Sequence, residues 1–201
     1  MSKSARILTA LAALLLLTLY IVPIWRISLL APQYPEGLGM QIHVNTVTGV
    51  EAHDLDNINE LNHYIGMKVI EPSSIAVLRI MPWVVGILAV AGLLVAAIGK
   101  RGPLYAWLGS FAGLGVAGLV VFWYWEYDYG HHLDEARAII KVPGMTYQPP
   151  LLGSRQILNF TATSMPDIGG WLAGIAFLLG VVAVVMAVKA ATSVPVEPRR
   201  S

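Results

Sequence analysis

The chain has 201 residues, 56% hydrophobic and 12% charged, about half the charged fraction of a typical soluble domain. Its net charge of +1 gives no basic field for nucleic acid. It has no cysteine, which excludes disulfides, thiolate metal sites, thiol redox chemistry and a lipoprotein anchor.

The missing charge is concentrated in four apolar runs. The first is Ile7 to Trp25. Lys3 and Arg6 precede it, so it has the form of a signal peptide as well as of an anchor. Its core outruns a typical h-region, and Leu29-Leu30-Ala31 is a poor cleavage site, so a retained anchor is expected. The second run is Ile75 to Ile98, started by Glu71-Pro72-Ser73-Ser74 and carrying Pro82 inside it. The third is Leu104 to Tyr124 and the fourth Ile168 to Val188. Each is close to the roughly 20 residues that cross a hydrocarbon layer. The expected units are spans over 1–25, 75–98, 104–125 and 168–190. Polar segments fill 26–74 and 126–167, a turn 99–103 and a tail 191–201.

The loops set an orientation. Lys3, Arg6, Lys100, Arg101, Lys189, Arg199 and Arg200 fall on one side, with Glu197 the only acid there. Arg26, Lys68, Arg79, Arg137, Lys141 and Arg155 fall on the other, among the remaining acids. Both termini are therefore expected in the cytoplasm, and both polar segments on the outer side of the membrane. Gly109, Gly113 and Ala117, and again Gly170 and Gly174, fall four apart, a spacing that lets helices approach closely in lipid. No ionisable residue lies deep in a span, which argues against a proton path or an ion channel.

In the first polar segment, Gln41–Val47 alternates and reads as a short strand. Asp54 or Asp56 can start a helix through Ile58, Leu61 and Ile65, with Gly66 ending it. His63 and Met67 are four apart at its end, and Glu60 can orient His63. In the second, residues 123–129 (WYWEYDY) form an aromatic belt. His131 and His132 follow, each with a carboxylate four residues away, Glu135 and Asp128. Arg155–Thr161 alternates and reads as a second strand, able to pair with the first. The expected fold class is an all-α membrane protein of four transmembrane helices with a small α+β extracytoplasmic cap.

All five histidines fall outside the spans on the cap side, with Met40, Met67, Met145 and Met165. Imidazole and thioether together suit copper, and thioether needs no deprotonation. A copper site built from His63 and Met67 with some of His43, His131, His132 and Met145 is the candidate. The ordinary alternatives stand beside it: a core methionine, a strand histidine facing solvent and a solvated histidine pair. The spacing matches no strict metal motif such as HExxH. No hydrolase triad, nucleophile elbow or phosphate loop is present, so no enzyme is expected.

The strings YPEGLGMQIHVNTVTG, INELNHYIGMKVIE and IKVPGMTYQPPLLGSRQILNF resemble a group of small four-span bacterial membrane proteins. That group is encoded beside nitrous oxide reductase maturation genes and associated with copper chaperones. The resemblance implies help in delivering copper to a periplasmic copper enzyme, or in assembling it. The soluble chaperones of those clusters use cysteine and methionine, so none of their ligands carries over to this cysteine-free chain. Three functions follow as expectations. The first is copper handling or copper-enzyme maturation, with lipid and a periplasmic copper protein as partners. The second is a non-catalytic subunit docked on the other subunits of a respiratory membrane complex. The third is a membrane-anchored small-molecule module with Trp123, Trp125 and nearby tyrosines lining a pocket.

Overall fold

The computed structural model describes residues 1–192. The expected tail charges Glu197, Arg199 and Arg200 lie outside the described residues. In chain order the elements are α1 (Lys3–Leu17), β1 (Trp25–Ala31), β2 (Tyr34–Ile42), β3 (Val47–Gly49), α2 (Asp54–Ile65), α3 (Ala76–Ile98), α4 (Arg101–His131), β4 (Gly153–Ile157), β5 (Phe160–Pro166) and α5 (Ile168–Thr192). Four helices are long and apolar enough to cross a membrane, over Lys3–Tyr20, Ala76–Ile98, Arg101–His131 and Ile168–Ala190. The chain is a multi-pass membrane protein.

The expected all-α class is wrong. The described residues carry a five-stranded antiparallel sheet in the order β3-β2-β1-β5-β4, so the fold is mixed α/β. The main error lies at β1. Trp25–Ala31 follows an apolar run without a break in hydropathy, and it is the central strand, hydrogen-bonded on both edges. Trp25, Ile27, Leu29 and Ala31 share one face and Arg26, Ser28 and Leu30 the other, an alternation that the exposed Leu30 blurs. The helix ends instead near Tyr20, before Pro23. The expected strand Gln41–Val47 is the end of β2, a turn and the start of β3. The expected strand Arg155–Thr161 is a hairpin. Ile157 pairs with Phe160, and Leu158 holds a φ of 54° in the two-residue turn. Asn159 is the only turn-favouring residue there, and Leu158 takes the left-handed position that glycine or asparagine would ordinarily mark. The two segments do share one sheet, through β1 and β5 rather than through the expected pair.

In the bundle, α1 packs against both α3 and α5. Its buried stripe is Ala5, Thr9, Ala12, Ala13 and Leu16, mostly small, which allows close approach. A Cβ on Gly92 of α3 would lie 2.8 Å from that of Ala13 and 2.9 Å from the Trp107 ring of α4. Arg6 donates from Nε to the Ala96 carbonyl at 2.7 Å and from Nη2 to that of Ala97 at 2.8 Å, closing the end of α3. The seam expected along Gly109 and Gly113 is not used: no atom of a neighbouring element lies within 4 Å of a Cβ built at either. Pro82 lies inside α3, and its carbonyl accepts from the Tyr20 hydroxyl beside Gly86.

The sheet, α2 and the loop after α4 all sit at one end of the bundle and form a cap. At 1.5 Å per residue, the 31 residues of α4 exceed a hydrocarbon layer of about 30 Å. Its last turns, from Glu126, belong to the cap, where Tyr129 shares an apolar cluster with Ile27 and Met40 of the sheet and Ile58 of α2. Exposed Tyr20, Trp83, Trp123, Tyr124 and Trp171 lie at the cap end of their helices, where amphipathic rings favour a membrane interface. Asp167 precedes α5. It accepts from the Ile168 amide at 2.8 Å and from Arg26 of β1 at 3.1 Å, fixing the sheet to the bundle.

Candidate functional site

The helix α2 forms where expected, Asp54–Ile65, with Gly66 ending it in the left-handed region (φ 77°). Asp54 is buried, and its carboxylate accepts from the amides of Gly39 at 2.9 Å and Glu51 at 3.1 Å. One side chain thus ties α2 to β2. Asn59 exchanges two hydrogen bonds with the backbone of Ile70, at 3.1 and 2.7 Å, and holds the returning chain along α2.

Beyond the sheet, backbone hydrogen bonds fasten the two polar segments at two places, and a third bond closes the second segment on its own α4 end. The Asp134 amide donates to the Gly66 carbonyl at 2.7 Å, and a Cβ at Gly66 would meet the Asp134 carbonyl oxygen at 2.8 Å. The amides of Ile139 and Ile140 donate to the Tyr64 carbonyl at 3.0 and 2.8 Å. The Tyr147 amide donates to the Gly130 carbonyl at 2.9 Å, and a Cβ at Gly130 would lie 2.4 Å from the Gln148 amide nitrogen. Glycine is required there because the loop backbone lies directly on α4.

Between the sheet, α2 and the outer turns of α4 lies a cavity of about 320 Å³. Its walls are apolar: Ile27 and Met40 from the sheet, Ile58 and Leu61 from α2, Trp125 and Tyr129 from α4. Tyr64, Ile140 and Leu158 also line it and are exposed, together with the amides Gln33 and Asn159, so its rim is mixed. Glu126 lies among these groups with 1% of its surface exposed. Among the described residues neither carboxyl oxygen has a hydrogen-bond partner, and neither do the buried Nε1 of Trp125 and the hydroxyl of Tyr147, two further lining residues. Burial with no compensating donor or cation raises the Glu126 pKa from 4.5 to about 8. The site therefore holds a neutral carboxylic acid at pH 7.

A second, more open depression lies across Met67, which lines both spaces. His63, Met67, His131 and His132 line this depression, with Lys68, Asp134 and Arg137. Four of the six candidate ligands are thus brought to one place. His131 stacks on Tyr127, ring centroids 3.9 Å apart, and its Nδ1 lies 3.1 Å from the Tyr127 carbonyl oxygen. The Nδ1 of His132 lies 2.9 Å from Asp128, the expected four-residue pairing. Lys68 donates to the other oxygen of Asp128 at 2.6 Å. That ammonium, and then His132, hold the Asp128 carboxyl below its usual range. The pairings expected of Glu60 with His63 and of Glu135 with His131 do not form among the described residues; His63 meets the Tyr64 ring edge-on instead.

The other two candidates lie elsewhere. His43 is at the base of the sheet, 3.4 Å from the Thr48 hydroxyl and next to Val44, which belongs to the bundle core. Met145 packs against Tyr147, Ile157 and Ala162. Met67 packs in that cluster as well, so both sulfurs have a core role. Among the described residues, no three histidine or acidic side chains are grouped to hold a metal ion.

The sequence reading passed over Glu126. A signal was present: Phe122, Glu126, Tyr129 and Gly130 recur at helical spacing, which puts the acid on the inward stripe of α4. The strings INELNHYIGM and TYQPPLLG, quoted above for their resemblance, supply Ile58, Leu61, Met67 and Tyr147 to the cavity wall. The chain matches no protein-family model, and no curated protein matches it significantly.

Proposed function

We propose that this protein is a membrane-anchored binding module whose cap takes a small, largely apolar molecule into the cavity beside Glu126. The observation that carries this reading is the cavity lining: largely apolar walls in which three residues carry polar groups that lack partners among the described residues. Ligand pockets share this composition, an apolar surface with a few convergent polar groups. A purely structural core rarely leaves buried polar atoms unmatched. By the distribution of lysine and arginine, the cap faces the periplasm and both termini face the cytoplasm. The four helices act as an anchor; no reaction is assigned.

The test is equilibrium dialysis of 2-methylnaphthalene against the protein in lipid nanodiscs, with empty discs as reference. Saturable uptake near one per chain is expected, and Leu61→Trp, which fills the cavity, abolishes it. Uptake equal to that of empty discs would overturn the reading.

Copper handling is the second reading. It rests on His63, Met67, His131 and His132 sharing one depression, and it agrees with the resemblance noted above. These side chains would have to draw together around a Cu(I) ion through the Nε2 atoms and the Met67 sulfur. Anaerobic Cu(I) titration should then give one ion per chain, weakened at least tenfold in a His63→Ala/Met67→Ala variant. Equal affinity in both proteins removes copper from the account and leaves the cavity reading intact.

A further inference from the structure

The three unpartnered groups in the cavity also define the chemistry of what fits it. The indole N–H of Trp125 can only donate. The phenol of Tyr147 can donate or accept. Glu126 has no donor at either oxygen, and an ionised carboxylate there would be a buried, uncompensated charge. In its neutral form it is one more O–H donor. Among the described residues no lysine, arginine or histidine lines the cavity, so an anionic ligand would find no counter-charge there. Of the amide side chains in the wall, Asn62 already donates to the Lys68 carbonyl and Asn159 to Gln33. Gln33 lines the cavity too, and its side-chain oxygen accepts from Asn159; the groups left without a partner among the described residues belong to Trp125, Tyr147 and Glu126, each able to donate.

We propose that the cavity ligand is a neutral apolar molecule presenting carbonyl oxygens, of the quinone or aryl-ketone class, held by hydrogen bonds from Glu126, Trp125 and Tyr147. The proposal rests on the reading that the cavity binds a ligand, and adds the class. An ammonium ligand is the converse case. It would ionise Glu126 and sit among the rings of Tyr64, Trp125, Tyr129 and Tyr147, but it would leave the Trp125 N–H without an acceptor. The ionisable groups facing Glu126 are Tyr64 from α2, Tyr129 from α4 and Tyr147 from the loop. The Lys68 ammonium lies 5.9 Å from the Tyr129 ring centroid and pairs with Asp128.

A matched set of probes separates these cases in nanodiscs at pH 7. It comprises 2-methylnaphthalene, 2-methyl-1,4-naphthoquinone of the same outline, and the 2-naphthylmethylammonium ion. The cysteine-free chain offers no thiol for the quinone to modify. We expect the quinone to bind at least tenfold more tightly than the hydrocarbon. Glu126→Gln keeps quinone affinity within about threefold because its amide still donates, whereas Glu126→Leu lowers it about tenfold or more. Melting curves confirm that each variant is folded. Equal affinity for quinone and hydrocarbon overturns the carbonyl proposal while the binding-module reading stands. Tightest binding of the ammonium, lost in Glu126→Gln, also overturns it, in favour of an ionised acid. Uptake of none of the three sinks the cavity reading itself.

Discussion

Glu126 is the residue on which the chemistry of the cap turns, and its burial makes stability depend on pH. The acid stays neutral in the fold up to about pH 8, whereas in the unfolded chain it ionises near 4.5. Between those values the folded state binds more protons, so its stability falls as pH rises. The contribution is fully present below pH 4.5 and lost by about pH 8. Glu126→Gln removes that dependence. Thermal melts at stepped pH should show the variant gaining on the parent through this window, then a constant difference above it. Parallel curves would contradict the neutral acid. Gly130 makes a separate prediction. Gly130→Ala drives a Cβ into the Gln148 backbone and should destabilise the cap by about 1–3 kcal/mol. Gly113→Ala, on an open face, should cost nothing measurable in the same melts. The sequence could not separate these two glycines, because the distinction depends on a loop returning from 18 residues further along the chain.

Among the elements, α2 and the cap-end boundaries of α3 and α5 could be read from sequence. Capping signals, periodicity and span length act locally, and each element carries its own. The sheet could not be read, because its central strand takes its partners from both polar segments and its hydropathy from the run before it. Of the depression, the sequence named His63, Met67 and the two histidines at the end of α4. The cavity escaped it, since that space exists only where three non-adjacent elements meet. Asp54 shows how one side chain can join two such elements. Asp54→Ala strips the acceptor from two amides and should cost roughly 1–3 kcal/mol for each buried donor left unpaired. Chemical denaturation in detergent, followed by near-ultraviolet circular dichroism, reads the loss. An unchanged midpoint would show that α2 is held by apolar packing alone.

At the scale of the whole molecule, a four-helix anchor carries a rigid cap at one end, and the cavity lies within the cap. Because the chain lacks cysteine, single cysteines report topology without background. Glu60→Cys in α2 and Lys100→Cys at the opposite end should react with an impermeant maleimide from opposite sides of the membrane. Labelling of both from one side would dismantle the bundle described above. The most direct measurement is photolabelling in nanodiscs with an apolar diazirine, mapped residue by residue by mass spectrometry. Binding in the cap predicts adducts on Ile58, Leu61 and the outer turns of α4, displaced by excess 2-methylnaphthalene. Adducts confined to the lipid-facing spans, with none in the cap, would contradict it.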